Sequence, residues 1–481
     1  MGIRDKAVSG VKWNVVSTIT NTVVQILKLA ILTRILSKSD FGIIAIAMMV
    51  IAFTEIFSEL GLTIGIIHKQ DITDKQYSSI YWLNISVSVI MFGVLWSLTP
   101  LLSAFYDEPI LNYVIPLLGI QILLNAFGKM FQTIKTKNLE FNFLAQVRIA
   151  SILLGFIVTI ITAYIGWGVY SLVAGQLAQV ATNQMVFAFE GHREQKILFY
   201  CNIREISDFI KIGFYNLGAQ ILDVVSSRID VFLIGKFFSM DELGIYNIAK
   251  DLILKPCLMI FSIVNNVAAA SFAKLQNDLI IIQHNYSLML SLIAFISFPL
   301  YIGLFVFSDS IVSILYDPGF SEVSIFIKLL FLIGLFTSID GLAATLQIAK
   351  GRTDLGLIST IIRVTSSILA IIISSQFDIY IMAIGQTIVS IFHSVIYWYL
   401  IVYGLINLSF LNYYKPLMPS FIISVVISIP ILLTHYICNN LYIDFILVLF
   451  YCCMYLFVFR CFQKDAFSKV CEMLNRKRIN S

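Results

Sequence analysis

Charge is scarce in this chain. Asp, Glu, Lys and Arg make up 12% of its 481 residues, against roughly 25% in an ordinary soluble domain, which excludes a solvated surface over most of its length. No Gly-rich P-loop ending in Gly-Lys-Ser/Thr occurs, so any energy must come from an ion gradient or from consumption of substrate downstream. The outer loops are short and hold no paired His and acidic clusters, which argues against a membrane-embedded polymerase or glycosyltransferase. The seven cysteines, Cys201, Cys257, Cys438, Cys452, Cys453, Cys461 and Cys471, show no metal-type spacing and read as packing residues. No metal or other cofactor is expected. The opening "MGIRDKAVSGVKW" has no small-residue cleavage site before a long apolar run containing Lys28, so it reads as an uncleaved first helix. Gly2 lacks the Ser or Thr that myristoylation needs.

What is there is apolar. Hydrophobic residues are 59% of the chain, and stretches of the ~20 residues a spanning helix requires follow one another almost end to end. Polar punctuation gives fourteen expected spans, near 13–33, 41–64, 79–101, 110–128, 147–165, 168–188, 208–234, 243–268, 287–307, 323–347, 356–375, 377–403, 416–436 and 440–459. Cytoplasmic loops are enriched in Lys and Arg. With the N-terminus inside, Arg34, Lys38 and Lys236 fall outside, Lys28, Arg228, Lys250, Lys255, Lys328 and Arg363 fall within spans, and the remaining 23 of 32 basic residues are cytoplasmic. A missed or invented span would scramble that asymmetry, so fourteen spans with both termini cytoplasmic is the expected topology. It also accounts for the net charge of +4 and leaves no reason to expect nucleic acid as a partner.

The chain repeats itself. "RILSKSDFGIIAIA" at 34–47 returns as "KFFSMDELGIYNIA" at 236–249, "SAFYDEP" at 103–109 as "SILYDPG" at 313–319, "QTIKTKN" at 132–138 as "QIAKGRT" at 347–353, and "WGVYSLVAGQ" at 167–176 as "FDIYIMAIGQ" at 377–386. The offsets are 202, 210, 215 and 210, in order. In the first pair, Ser37 to Asp40 and Ser239 to Glu242 fit a capping box, and Gly42 and Gly244 follow, small enough for close helix contact. Two six-helix halves of like orientation are expected: 1–188 and 208–403, joined by a cytoplasmic linker at 189–207, then two further helices at 404–459 and a basic tail at 460–481. Such parallel repeats suit alternating access. In the tail, Phe467, Val470, Cys471 and Leu474 share one helical face, as an interfacial helix on anionic membrane lipid would.

An ionisable residue inside the membrane costs about 2.5–3.5 kcal/mol on insertion scales and is a functional candidate by default. The repeat offset sets Lys28 opposite Asp230, as an outer gate pair; Lys28 snorkelling to the headgroups, with Asp230 paired to Arg228, is the other open reading. In "AKDLILKP", Asp251 and Lys255 lie four apart on one face and Pro256 interrupts the helix. Lys250, Lys255, Arg228 and Arg363 suit an anionic head group, or else an internal salt-bridge network. Glu55 and Glu59 would carry H+ or Na+ for coupling, or cap the cytoplasmic vestibule; Asp223, Asp251 and Asp340 join them as gating or coupling candidates. Asn21, Gln25, Asn125, Asn216, Asn265 and Asn266 suit sugar hydroxyls or polar helix packing equally.

"LTRILSKSDFGIIAIAMMVIAFTEIFSELGLTIGIIHKQDIT", followed by "YWLN", "FYDEP" and "DVFLIGKFFSMDELGIY", resembles the bacterial polysaccharide biosynthesis and export proteins, in particular the Wzx-type lipopolysaccharide group that includes colanic-acid and teichuronic-acid exporters, within the multidrug/oligosaccharidyl-lipid/polysaccharide (MOP) superfamily. Members often carry proline where Lys38 stands. The resemblance implies an all-α membrane protein with two six-helix bundles in a V, MATE-like, plus two helices. It also implies transfer of undecaprenyl-pyrophosphate-linked oligosaccharide (O-antigen, capsule or exopolysaccharide repeat unit) across the inner membrane, with polymerase and chain-length partners. Basic cavity residues engage the pyrophosphate in related flippases; by position these are Lys28, Arg228, Lys250 and Lys255 here. A drug/cation antiporter of the same superfamily would share the fold but need a more acidic, aromatic-caged cleft.

Overall fold

The structure, a computed structural model, describes residues 3–59, 65–67, 69, 71–275, 278–438 and 441–462. These residues are helical almost throughout, as hydrocarbon demands, because a helix satisfies its own backbone hydrogen bonds. The long helices are α1 (Ile3–Leu32), α2 (Lys38–Glu59), α3 (Asp74–Tyr106), α4 (Leu111–Lys137), α5 (Phe141–Tyr164), α6 (Val169–Glu194), α7 (Ser207–Phe237), α8 (Met240–Leu275), α9 (Leu279–Val306), α10 (Val323–Ala349), α11 (Thr353–Ser374), α12 (Ile379–Tyr397), α13 (Met418–Cys438) and α14 (Leu441–Phe462). Among the described residues, nine helices are long and apolar enough by themselves to cross a membrane; α13 and α14 carry shorter apolar cores, Met418–Thr434 and Ile446–Arg460. The tail at 463–481, with its expected interfacial face, lies outside the described residues.

Several helices overrun the apolar runs that announced them, because polar caps set their ends. α3 starts at Asp74 instead of near 79, since Thr73 and Gln76 close a capping box there. Both boxes read from the repeated motif form, with the same geometry. Ser37 N and Oγ donate to Asp40 Oδ2 at 2.9 and 2.8 Å, and Asp40 N donates back to Ser37 Oγ at 3.3 Å. Ser239 N and Oγ donate to Glu242 Oε2 at 2.9 and 2.7 Å, and Glu242 N to Ser239 Oγ at 3.3 Å.

Two compact units divide the chain, Met1–Asn247 and Ile248–Ser481, the boundary falling inside α8. In the first unit α6 packs on α5 and α4, α3 on α4, α1 on α5, and α2 on α4 and α7. Lipid offers helices no hydrophobic reason to associate, so close backbone approach at small residues carries the packing. A Cβ on Gly42 would collide with the Met240 carbonyl oxygen, and one on Gly244 with the Lys38 carbonyl oxygen. The repeat offset of 202 carries Gly42 to Gly244 and Lys38 to Met240, so the two contacts are copies of each other, related by exchange of the motifs. At the α3 start, Ser78 and Ser79 accept from the backbone N–H groups of Leu198 and Asn202 at 2.8 and 3.0 Å, and Trp82 Nε1 donates to Leu198 O at 2.9 Å. The segment after α6 is thus strapped to α3. Lys135, with a side chain 6% exposed, joins Glu140 and Glu194 at 2.9 and 2.6 Å, tying the end of α4 to the end of α6.

In the second unit α10 packs on α9 and α12, α11 on α12, α13 on α9, and α14 on α13. Beyond Tyr397, α12 passes into a π-helical segment, Trp398–Tyr403, whose Trp398 Nε1 donates to Leu408 O at 3.1 Å.

Candidate functional site

Each unit holds a carboxylate bonded to polar side chains of neighbouring apolar helices. In the first unit it is Glu55 on α2. Its Oε1 accepts from Gln121 Nε2 at 3.0 Å and Asn125 Nδ2 at 2.8 Å, both on α4, and Gln121 Oε1 accepts from Gln176 Nε2 of α6 at 3.4 Å. Three helices are pinned by one charge. Of this cluster the sequence had pointed to Glu55 and Asn125; Gln121 and Gln176 were missed, although an amide pair four apart on a membrane helix is the pattern that signals a shared polar face. Glu59, one turn further on, has a side chain outside the described ones, as have Asn216, Asn265 and Asn266. Asn21, Gln25 and Lys28 are half-buried on α1.

The other face of α2 is mostly apolar. Met49, Val50, Phe53, Thr54 and Phe57 line a cavity of about 560 Å³, closed by residues of α3 such as Leu95 and Leu98 and by Val225, Ile229 and Phe232 of α7. None of the basic candidates lines it. On α7, Asp223 is exposed and Arg228 half-buried. Asp230 is 6% exposed and accepts from Tyr246 Oη at 2.8 Å and from Val231 N at 2.9 Å.

In the second unit the cluster centres on Asp340 of α10. Ser394 Oγ donates to Asp340 Oδ1 at 2.7 Å, His393 Nδ1 lies 3.7 Å from Asp340 Oδ2, and His393 Nε2 is 2.9 Å from Ser359 Oγ of α11. The offset of 215 carries Asn125 onto Asp340, and that of 210 carries Gln176 onto Gln386, which exchanges hydrogen bonds with Ser367 at 2.7 and 3.3 Å. Positions that the sequence offsets pair thus lie in polar clusters, with the acid supplied from α2 in the first unit and from α10 in the second. His393 and Ser359 were not singled out from sequence; a lone His or Ser on an apolar helix looks like packing.

α8 carries a charge without a hydrogen bond among the described residues. Lys255 Nζ is 4.0 Å from Asp251 Oδ2, with the Lys side chain 15% and the Asp side chain 48% exposed. That is beyond hydrogen-bond range, and Nζ is buried with no hydrogen-bond partner among the described residues. Pro256 next to it has no N–H to offer the Leu252 carbonyl. A buried ammonium without a hydrogen bond is expensive, and an incoming anion would supply one. Lys250 and Arg363 are half-buried. Of the remaining intramembrane candidates, Lys328 pairs with Asp309 at 2.6 Å. No group of three or more metal-ligating side chains occurs among the described residues.

The family model described as "Polysaccharide biosynthesis protein" matches residues 31–325. The teichuronic acid biosynthesis protein TuaB of Bacillus subtilis (strain 168) is 28% identical over 353 residues, 73% of each chain. The lipopolysaccharide biosynthesis protein WzxC of Escherichia coli (strain K12) is 23% identical over 437 residues, 91% of this chain and 88% of its own. Among solved structures, the lipid II flippase MurJ in its inward closed conformation superposes with a TM-score of 0.77 at 15% identity, covering 94% of this chain and 98% of that one. The fold is that of an all-α, multi-pass membrane protein.

Proposed function

The chain belongs to the polysaccharide biosynthesis protein family, within the MOP superfamily, and from that premise we propose that it is a flippase that carries undecaprenyl-pyrophosphate-linked oligosaccharide across the bacterial inner membrane by alternating access. Both termini are cytoplasmic in this reading, six-helix halves at 1–188 and 208–403 are its moving repeats, and fourteen helices span. The protein translocates its substrate without transforming it, using no resident cofactor.

One observation carries the choice of substrate: the buried Lys255 ammonium beside the Pro256 interruption, which has no hydrogen-bond partner among the described residues and only Asp251 at 4.0 Å to offset its charge. A sugar pyrophosphate cannot cross hydrocarbon unaided, whereas its polyprenyl tail never has to leave it. The protein's task is to neutralise the head group, and lysine does so as a point charge. A drug/cation antiporter would need an orphaned acid where this chain has an orphaned cation. Lys250, Arg228, Lys28 and Arg363 are the further cations of this reading. The names of TuaB, WzxC and MurJ support it.

Deletion of the gene tests the proposal. Lipid-linked oligosaccharide should accumulate on the cytoplasmic leaflet while surface glycan falls. Unchanged glycan with no such accumulation would end it.

A further inference from the structure

A carboxylate, an imidazole and a hydroxyl stand in line inside the second unit: Asp340 Oδ2 is 3.7 Å from His393 Nδ1, whose Nε2 is 2.9 Å from Ser359 Oγ. This order is that of a hydrolytic triad, but Ser359 is fully buried and no acyl substrate reaches it. A proton is small enough to. Chains of acid and histidine inside membranes are the usual material of proton relays. We propose that Asp340, His393 and Ser359 form a proton-binding site that couples this protein's cycle to an H+ gradient.

The chemistry is balanced without any other reactant. In the neutral ring one nitrogen carries hydrogen and the other accepts. A proton added to the accepting nitrogen makes both donors: Nδ1–H faces Asp340 and Nε2–H faces Ser359 Oγ. The pair passes from a net charge of −1 to zero. The 3.7 Å gap is longer than a hydrogen bond, so the new attraction draws α12 towards α10. Ser394 already fixes Asp340 Oδ1 from the same helix, and α12 turns π-helical five residues after His393, a distortion frequent at functional sites. His393 is 8% exposed and stacks on Tyr397 at 5.3 Å between ring centroids.

The titratable groups around the site come from every neighbouring helix. The Asp340 charge acts on Cys257 of α8, Tyr286 of α9, Tyr397 of α12, and Tyr413 and Tyr414 of the short helix Phe410–Tyr414, while Arg363 of α11 acts on Tyr397.

Two measurements test the site; the coupling half rests on the flippase reading, and the first measurement does not. In purified protein labelled with 15N-histidine and held in lipid nanodiscs, the signals lost in His393→Gln should pass from neutral imidazole to imidazolium as the pH is lowered. In Asp340→Asn the same change should need a roughly tenfold higher proton concentration. Signals that never change, or that change identically in Asp340→Asn, overturn the proton site. In proteoliposomes charged with lipid-linked oligosaccharide from the deletion strain, an imposed pH gradient should alter the wild-type flipping rate at least threefold and leave the His393→Gln rate unmoved. Equal responses in both overturn the coupling. A wild type that flips nothing sinks the functional reading, and the titration still decides whether the proton binds.

Discussion

Lys255 separates stability from function more cleanly than any other residue here. Lys255 is buried without a hydrogen-bond partner among the described residues, and its pair with a half-exposed Asp251 is long; replacing such a charge by an apolar side chain of similar length is neutral or stabilising, by up to about 2 kcal/mol, so Lys255→Met should melt at or above the wild-type temperature. The same change should weaken capture of lipid-linked oligosaccharide at least tenfold, with Lys255→Arg retaining most of it. Thermal melts and substrate co-purification read the two effects separately. A purely structural lysine would give the opposite pattern, with stability falling and binding intact. Lys135 behaves as that structural case. Its side chain is 6% exposed between Glu140 and Glu194, themselves 35% and 48% exposed, so Lys135→Met should cost about 1–2 kcal/mol after allowance for water around the acids, and leave binding alone. The sequence picked out Lys255 and Asp251 because charge in a membrane helix has few innocent explanations. It did not disclose that Lys255 lacks a hydrogen bond among the described residues, because that depends on which acceptors the neighbouring helices bring.

Among the helices, the caps and crossings are the parts that sequence patterns expose best. A box needs only a hydroxyl and an acid three residues apart, so both copies were legible at Ser37 and Ser239; Thr73 and Gln76 obey the same rule and extend α3 beyond its apolar run. Ser37→Ala and Ser239→Ala should each cost about 1 kcal/mol, and by nearly equal amounts, since the two geometries match to within about 0.1 Å. Unfolding in detergent with a helix-sensitive probe measures both. The crossing of α2 and α8 is tighter still. Gly42→Ala or Gly244→Ala forces a methyl into a carbonyl oxygen, an overpacking that should destabilise by about 1–3 kcal/mol. The double substitution should cost less than the sum, because either methyl alone already parts the helices that the other would part.

For the whole molecule, the helical character was readable because hydrocarbon allows so few alternatives, and the charge asymmetry of the loops is the basis of the proposed orientation. The polar clusters were not readable to the same degree. Gln121, Gln176, Ser359 and His393 are unremarkable as letters, and their meaning arises when helices distant in sequence bring them within 3.4 Å of a partner. The 560 Å³ apolar cavity of α2, α3 and α7 was invisible for the converse reason: Leu, Val and Phe are everywhere in this chain, and nothing in their spacing tells which of them face empty space.

The mutual seating of Gly42 on Met240 and of Gly244 on Lys38 has an ancestral implication. Were the two motifs on separate polypeptides, this would be an isologous dimer interface, one surface serving as both halves of the handshake. We propose that a single-repeat progenitor closed on a second copy of itself here, and that fusing the genes freed each copy to drift.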